Sequence, residues 1–308
     1  MKYLGVYNIC ERKHKNYEWY ESCIDNLLRV KSDQYDYDIA VSGCMVSAET
    51  QEKLLARYKD KVFLYFTDEN FTVNVTFNHA VNKIVEEKGR YDGYIYFDSG
   101  INIHDNINYL DEIHSRFVTG EFGMVTVQTD TDTGFHFVGR SNSHFRDEDY
   151  IIPVGKAVNL HVTCFNDKLL QYYGKVIPDI FLAYCTESVF SFLNAALHLK
   201  WVIVKDLIVA HKAVDGGSSG FCHYGKKSCP WNNVFGDLDM NDIINDPEAK
   251  RLGLGYEEIG NVMIHDENAF TSEGFAKYDE LKVYIKEKLY LSKQMLDYDK
   301  IEFKFYSK

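Results

Sequence analysis

The pattern of apolar and polar positions changes period repeatedly along the first hundred residues. Tyr3 to Asn8 is a short apolar run, and Tyr20, Ile24, Leu27 and Leu28 then recur at helical spacing. Tyr37 to Ser42 reads as a second strand ending at Gly43, and Leu54, Leu55 and Tyr58 mark a short helix. Val62 to Phe66 is a third strand. Val73, Phe77, Ala80, Val81, Ile84 and Val85 form the clearest amphipathic helix, closed by Gly89. Tyr94 to Phe97 is a fourth strand running straight into Asp98-Ser99-Gly100. Repeated β-α-β units with short connections predict an α/β fold: a mostly parallel central sheet covered by helices.

The second half is less regular. Met124 to Thr129, Phe135 to Val138 and Val158 to Phe165 read as strands, and Glu187 to Leu199 as a helix. Trp201 to Val204 and Leu207 to Ala210 read as two short strands leading to His211. Asp215 to Gly220 is glycine-rich and predicts a mobile loop. Beyond it the chain is acidic and helical in parts, with Leu281, Ile285 and Leu289 at helical spacing, and Ile301 to Phe305 alternates like an edge strand. The expected division is a core over 1–212, split into 1–105 and 106–212, followed by a loop and a C-terminal helical extension over 213–308.

Composition narrows the function classes. With 34 basic and 46 acidic residues the 308-residue chain carries −12, which argues against a general nucleic-acid binder but leaves room for a small phosphorylated ligand. No apolar run approaches the roughly 20 residues of a membrane span. The start is too soon polar for a secretory signal, and the seven cysteines include no CxxC pair. The expectation is a cytoplasmic protein with reduced thiols. The 23 tyrosines and 20 phenylalanines suit either polar ligand surfaces or ordinary cores.

Ligands of such sheets bind beyond the carboxyl ends of the strands, which puts Asn8, Ser42, Thr67 and Asp98 on one rim. At Asp98 an apolar strand delivers a carboxylate to a small-residue turn. A carboxylate there can reach a divalent cation that neutralises a diphosphate; it can equally close an ordinary Asx turn.

In its order of elements over about residues 1 to 212, the chain resembles the GT-A glycosyltransferases, particularly the family 2-like group. The polar turn Asn8-Ile9-Cys10-Glu11-Arg12 follows the first strand, and Asn74, Asn78 and Asn82 lie on the helix before the candidate metal strand. Asp98-Ser99-Gly100 sits where that group has D-x-D, Thr186-Glu187-Ser188 where it has an acidic residue serving as base before a helix, and Val209-Ala210-His211 where a histidine completes a metal site. The resemblance implies transfer of a sugar from a nucleotide diphosphate donor to a glycan or glycolipid-linked acceptor, with inversion. It implies Mn²⁺ or Mg²⁺ at Asp98 and His211, Glu187 as base with Asp179 as runner-up, and donor contacts from Asn8, Arg12, Ser42, Asn74, Asn78, Asp98 and Gly100.

The departure is Gly100, where the group carries a second aspartate. A literal D-x-D occurs at Asp130-Thr131-Asp132, before Gly134, in what reads as a hairpin turn. His223 competes with His211, and Lys226 and Lys227 follow the glycine-rich loop, either as phosphate contacts or as a solvated basic patch. Two other functions fit a sheet of this kind. A sugar-phosphate nucleotidyltransferase would want a glycine-rich phosphate loop after the first strand, which Asn8 to Arg12 lacks. A non-catalytic binding module is consistent with Gly100.

Overall fold

The computed structural model describes residues 1–10, 16–30, 32–44, 46–68, 72–103, 108–129, 149–152, 158, 160–177, 190, 194, 197–211 and 303–308. The N-terminal half is the alternation the sequence predicts. Strands β1 (Lys2–Cys10), β2 (Asp36–Cys44), β3 (Phe63–Thr67) and β4 (Gly93–Phe97) are separated by helices α1 (Tyr17–Leu27), α2 (Ala48–Tyr58) and α3 (Thr72–Lys88). Local chemistry sets the helix ends. The Asn16 side chain caps α1 by accepting from Trp19 N, and Ser47 caps α2 by accepting from Thr50 N. Gly89, at φ +78°, closes α3 in the left-handed conformation that side chains avoid.

The chain continues through β5 (Ile101–Asn102), α4 (Tyr109–Phe117), β6 (Phe122–Thr129), β7 (Tyr150–Ile151), β8 (Val162–Asn166), α5 (Asp167–Tyr173), β9 (Lys200–His211) and β10 (Lys304–Tyr306). Along the sheet the order is β10-β3-β2-β1-β4-β8-β6-β9-β5, with β7 on β9. Strands β3, β2, β1 and β4 run parallel, whereas β8 is antiparallel to both β4 and β6. The chain moves outward from β1 to β3 and then crosses back to β4. The carboxyl ends of β1 and β4 therefore flank a topological switch point.

Both faces of the sheet are buried, so β1 is almost continuously apolar. On one face Leu4, Val6, Tyr94 and Tyr96 pack with Phe77, Ala80, Val81 and Ile84 of α3. On the other, Tyr3, Tyr7, Ile9, Ile95 and Phe97 pack with Ile24 of α1, Leu54 of α2 and Leu110 and Ile113 of α4.

Several expectations need correction. The two short strands before His211 are one, β9. Its pairing with β6 jumps from Thr126↔Ile203 to Gln128↔Ile208, so the polar Lys205-Asp206 step sits in a bulge, where Lys205 N donates to Asp149 Oδ1 at 3.0 Å. The strand expected over 158–165 is confined to Val162–Asn166. The helix expected to reach Leu199 stops earlier, at a turn where His198 takes φ 55°. Helices α4 and α5 were not anticipated, although Tyr109, Leu110, Ile113 and Phe117 have helical spacing, and α5 carries an Asn166 cap and a Gly174 terminator.

The edge strand expected at the chain end is present. This strand, β10, joins the central sheet antiparallel to β3 and covers that edge. Phe303 stacks on Tyr65 and His79, and Phe305 on Phe63. Lys304 pairs with Asp68 and Lys308 with Asp38. The strand expected over 135–138, the loop over 215–220 and the helix around 281–289 lie outside the described residues. Among the described residues no helix is long and apolar enough to cross a membrane.

The tail contact makes a pH-dependent prediction. Burial alone would raise the Asp38 carboxyl, but hydrogen bonds from Lys308 and Tyr91, with the Lys2 charge, outweigh it and hold it below the usual carboxylate value. A depressed carboxylate contributes stability above its unfolded value of about 4, and loses it as pH falls through the folded value. Lys308→Ala should therefore lower the melting temperature at pH 7, with the deficit shrinking as pH falls below the usual carboxylate value and Asp38 takes up its proton. A deficit independent of pH would assign the loss to packing instead.

Candidate functional site

The switch point is built from the ends of β1, β4, β8 and β9. Asn8 is buried near the end of β1, opposite Ser42 of β2. Its Nδ2 donates to Phe97 O at 3.0 Å and to Val6 O at 3.3 Å, tying β1 to β4 just before the turn. Among the described residues Asn8 Oδ1 and Ser42 Oγ have no hydrogen-bond partner. Buried polar atoms left this way are uncommon and mark a place where a ligand or water can be received.

The turn after β4 is held from several sides. Tyr7 Oη and Trp19 Nε1 both donate to Ser99 O, at 3.0 and 2.9 Å. Asp98 Oδ1 accepts from Gly100 N at 2.8 Å, and Ile101 N donates to Asp98 O at 3.0 Å. The Asx turn foreseen as the plain reading of Asp98 therefore exists. It does not exhaust the carboxylate, because the same Oδ1 lies 3.6 Å from His211 Nε2.

Two strand pairings bring histidines to Asp98. Strand β9 ends beside β5 in the register Ile101↔His211. Strand β8 pairs with β4 in the register Phe97↔Val162, and Asp98 N donates to His161 O at 2.9 Å, one step beyond. The His161 and His211 rings lie 4.3 Å apart between centroids. One ligand atom each from Asp98, His161 and His211 falls within 4.8 Å of the others, so the three can hold a metal ion. The His211 side chain is 8% exposed and that of Asp98 28%, so the cluster is sheltered but open on the carboxylate side.

Of the residues singled out from sequence, Asn8, Ser42, Asp98, Gly100 and His211 gather at this rim. Asn78 does not offer its amide to it. Its Nδ2 donates to Ile177 O at 2.7 Å and its Oδ1 accepts from Ile177 N at 3.0 Å, a backbone clamp on a buried side chain. Asn74 lies on α3, with its side chain outside the described residues. Arg12, Asp179, Glu187, Asp130, Asp132, His223, Lys226 and Lys227 also lie outside them. His161 was missed. Its segment reads as strand, but a lone histidine in a strand signals nothing until the antiparallel register with β4 is known.

No protein-family model matches the chain, and no curated protein matches it in sequence. Among solved structures the fold is similar to that of a glycosyltransferase, S. aureus TarS residues 1–349, at TM-score 0.52 and 10% identity over 93% of this chain and 92% of that one. The same protein in complex with UDP-GlcNAc aligns at TM-score 0.52 and 10% identity, covering 94% and 82%. Its complex with UDP aligns at 0.53 and 11%, covering 96% and 95%. At such identity the likeness is one of fold.

Proposed function

We propose that this chain is a glycosyltransferase that moves a sugar from a nucleotide diphosphate donor to a hydroxyl of a glycan or glycolipid-linked acceptor, in the cytoplasm. The observation that carries the reading is the Asp98–His161–His211 cluster at the switch point of a sheet with a glycosyltransferase fold. The UDP-GlcNAc and UDP complexes of TarS make uridine donors the first to test.

The donor set fits a divalent cation, since one carboxylate and two imidazoles are ordinary ligands of such ions. A bound cation would supply positive charge to offset the leaving diphosphate in a chain of net charge −12. Asn8 and Ser42 would position the donor through Oδ1 and Oγ, which their own strands leave available. Arg12, Asn74 and Gly100 remain proposed donor contacts, with Gly100 letting the ligand approach the backbone. Asn78 is better assigned to holding Ile177.

In the transfer itself the acceptor oxygen attacks the anomeric carbon while the bond to the diphosphate breaks. The acceptor proton passes to a carboxylate, Glu187 in the first instance and Asp179 in the second. One in-line displacement of this kind inverts the anomeric centre.

The test is a thermal-shift screen with UDP, GDP and dTDP and their sugars, with and without Mn²⁺. A ligand at about 100 times its dissociation constant adds about 2.7 kcal/mol, which for a chain of this size is roughly 4 °C. No shift with any nucleotide, with or without metal, would overturn the reading. Pyrophosphate release from a nucleoside triphosphate plus sugar phosphate would replace it with nucleotidyl transfer.

A further inference from the structure

We infer that His161 is the third protein ligand of the cation site, supplying the donor that Gly100 cannot, and that the resulting pair of imidazoles makes this site prefer transition metals over Mg²⁺ even without nucleotide. The inference rests on the glycosyltransferase reading for its role, but not for its test.

The geometry is that of a site needing only small side-chain adjustments. Metal–nitrogen and metal–oxygen bonds of about 2.0–2.2 Å put neighbouring ligand atoms about 3.0–3.5 Å apart. His211 Nε2 and Asp98 Oδ1 stand at 3.6 Å, and all three ligand atoms lie within 4.8 Å of one another. The backbone already determines where they meet. Asp98 N is bonded to His161 O across the β4–β8 pair, His211 is registered against Ile101, and Gly100 N holds the Asp98 carboxylate. A hydrogen bond of that last kind orients a ligand and tunes it for metal.

The donor types then decide the ion. Carboxylates and water suit Mg²⁺, whereas imidazole suits transition metals such as Co²⁺, Ni²⁺ and Zn²⁺, with Mn²⁺ bound more weakly in the general order. Replacing one carboxylate by an imidazole therefore moves selectivity away from Mg²⁺. Losing a carboxylate also removes a charge, so the site neutralises less of the cation and leaves more for a diphosphate.

The experiment is nucleotide-free metal binding by the full chain after chelator treatment, with Co²⁺, Mn²⁺ and Mg²⁺ as separate probes. Co²⁺ should bind more tightly than Mn²⁺ and at least about 10-fold more tightly than Mg²⁺. Losing an outer partner of a ligand costs about 10- to 100-fold in affinity, so His161→Ala should weaken Co²⁺ by about 100-fold or more. Nitrogen-14 coupling to bound Mn²⁺ in the unaltered protein should report two imidazoles, a readout that survives if the variant fails to fold. Equal Co²⁺ affinity in His161→Ala, a single coupled nitrogen, a preference for Mg²⁺, or no metal binding at all would each overturn the inference. The nucleotide screen would still score the sugar-transfer reading separately, because it looks for donor binding with and without metal.

Discussion

Asp98→Ala should lower donor turnover by roughly 100- to 1,000-fold, the cost of removing one preorganised electrostatic group from a reacting centre. The protein should stay folded, since the side chain is 28% exposed and the hydrogen bond it accepts from Gly100 N is worth about 1 kcal/mol. Asp98→Asn separates the two roles of the side chain. It keeps an oxygen that can accept from Gly100 N and removes the charge. Turnover should fall nearly as far as in the alanine variant, with a melting temperature close to that of the unaltered protein. If Asp98→Asn retained full turnover, the carboxylate would be a turn-former only, and the reacting centre would have to be sought elsewhere along the strand ends.

The second large effect is on folding. A Cβ at Gly5, in the middle of β1, would stand 2.3 Å from Tyr37 Oη and 2.9 Å from two of its ring carbons. The ring has little freedom to leave, because Tyr37 Oη is hydrogen-bonded to Tyr109 Oη at 2.7 Å and Tyr109 is buried. Gly5→Val should therefore destabilise by about 2–3 kcal/mol, the usual cost of overpacking a well-filled core. For a chain of this size that is a fall of roughly 3–5 °C in melting temperature. An unchanged midpoint would mean that Tyr37 swings aside without loss.

The same buried aromatics answer a question the composition left open. Tyrosine abundance fits either a ligand surface or a core, and in the described residues it is largely core. Tyr7, Tyr20, Tyr58, Tyr91 and Tyr94 are buried, with hydroxyls donating to Ser99 O, Cys10 O, Asp25, Asp38 and Asp167 respectively. Burial drives the Tyr7 and Tyr109 hydroxyls well above their ordinary acidity range, so both stay neutral. No periodicity distinguishes such a tyrosine from one that lines a ligand surface, because the difference lies in what stands opposite the ring.

The parallel half of the fold was legible because each of its elements obeys its own local period. Strands β1 to β4 are short apolar runs, the α3 stripe repeats at helical spacing, and Gly89 supplies the stop. The second half was harder. Lys205-Asp206 reads as a break between strands, yet β9 passes through it as a bulge because Asp149 receives the freed Lys205 N–H. Asn78 looked like a donor contact by its place on α3, and only the position of Ile177 assigned its amide to the backbone.

By itself the sequence determined that an apolar strand ends in a carboxylate at Asp98, that the next small-residue turn lacks a second acid, and that His211 closes a later strand. Those are properties of neighbours along the chain. Only the tertiary structure decided that His161 joins them, since an antiparallel register between β4 and β8 sets which residue faces Asp98 across 63 positions of sequence. Local pattern specifies which face of a strand is buried, but pairing partners are chosen by the packing of both sheet faces together, and the Asp98–His161–His211 cluster is a consequence of that choice.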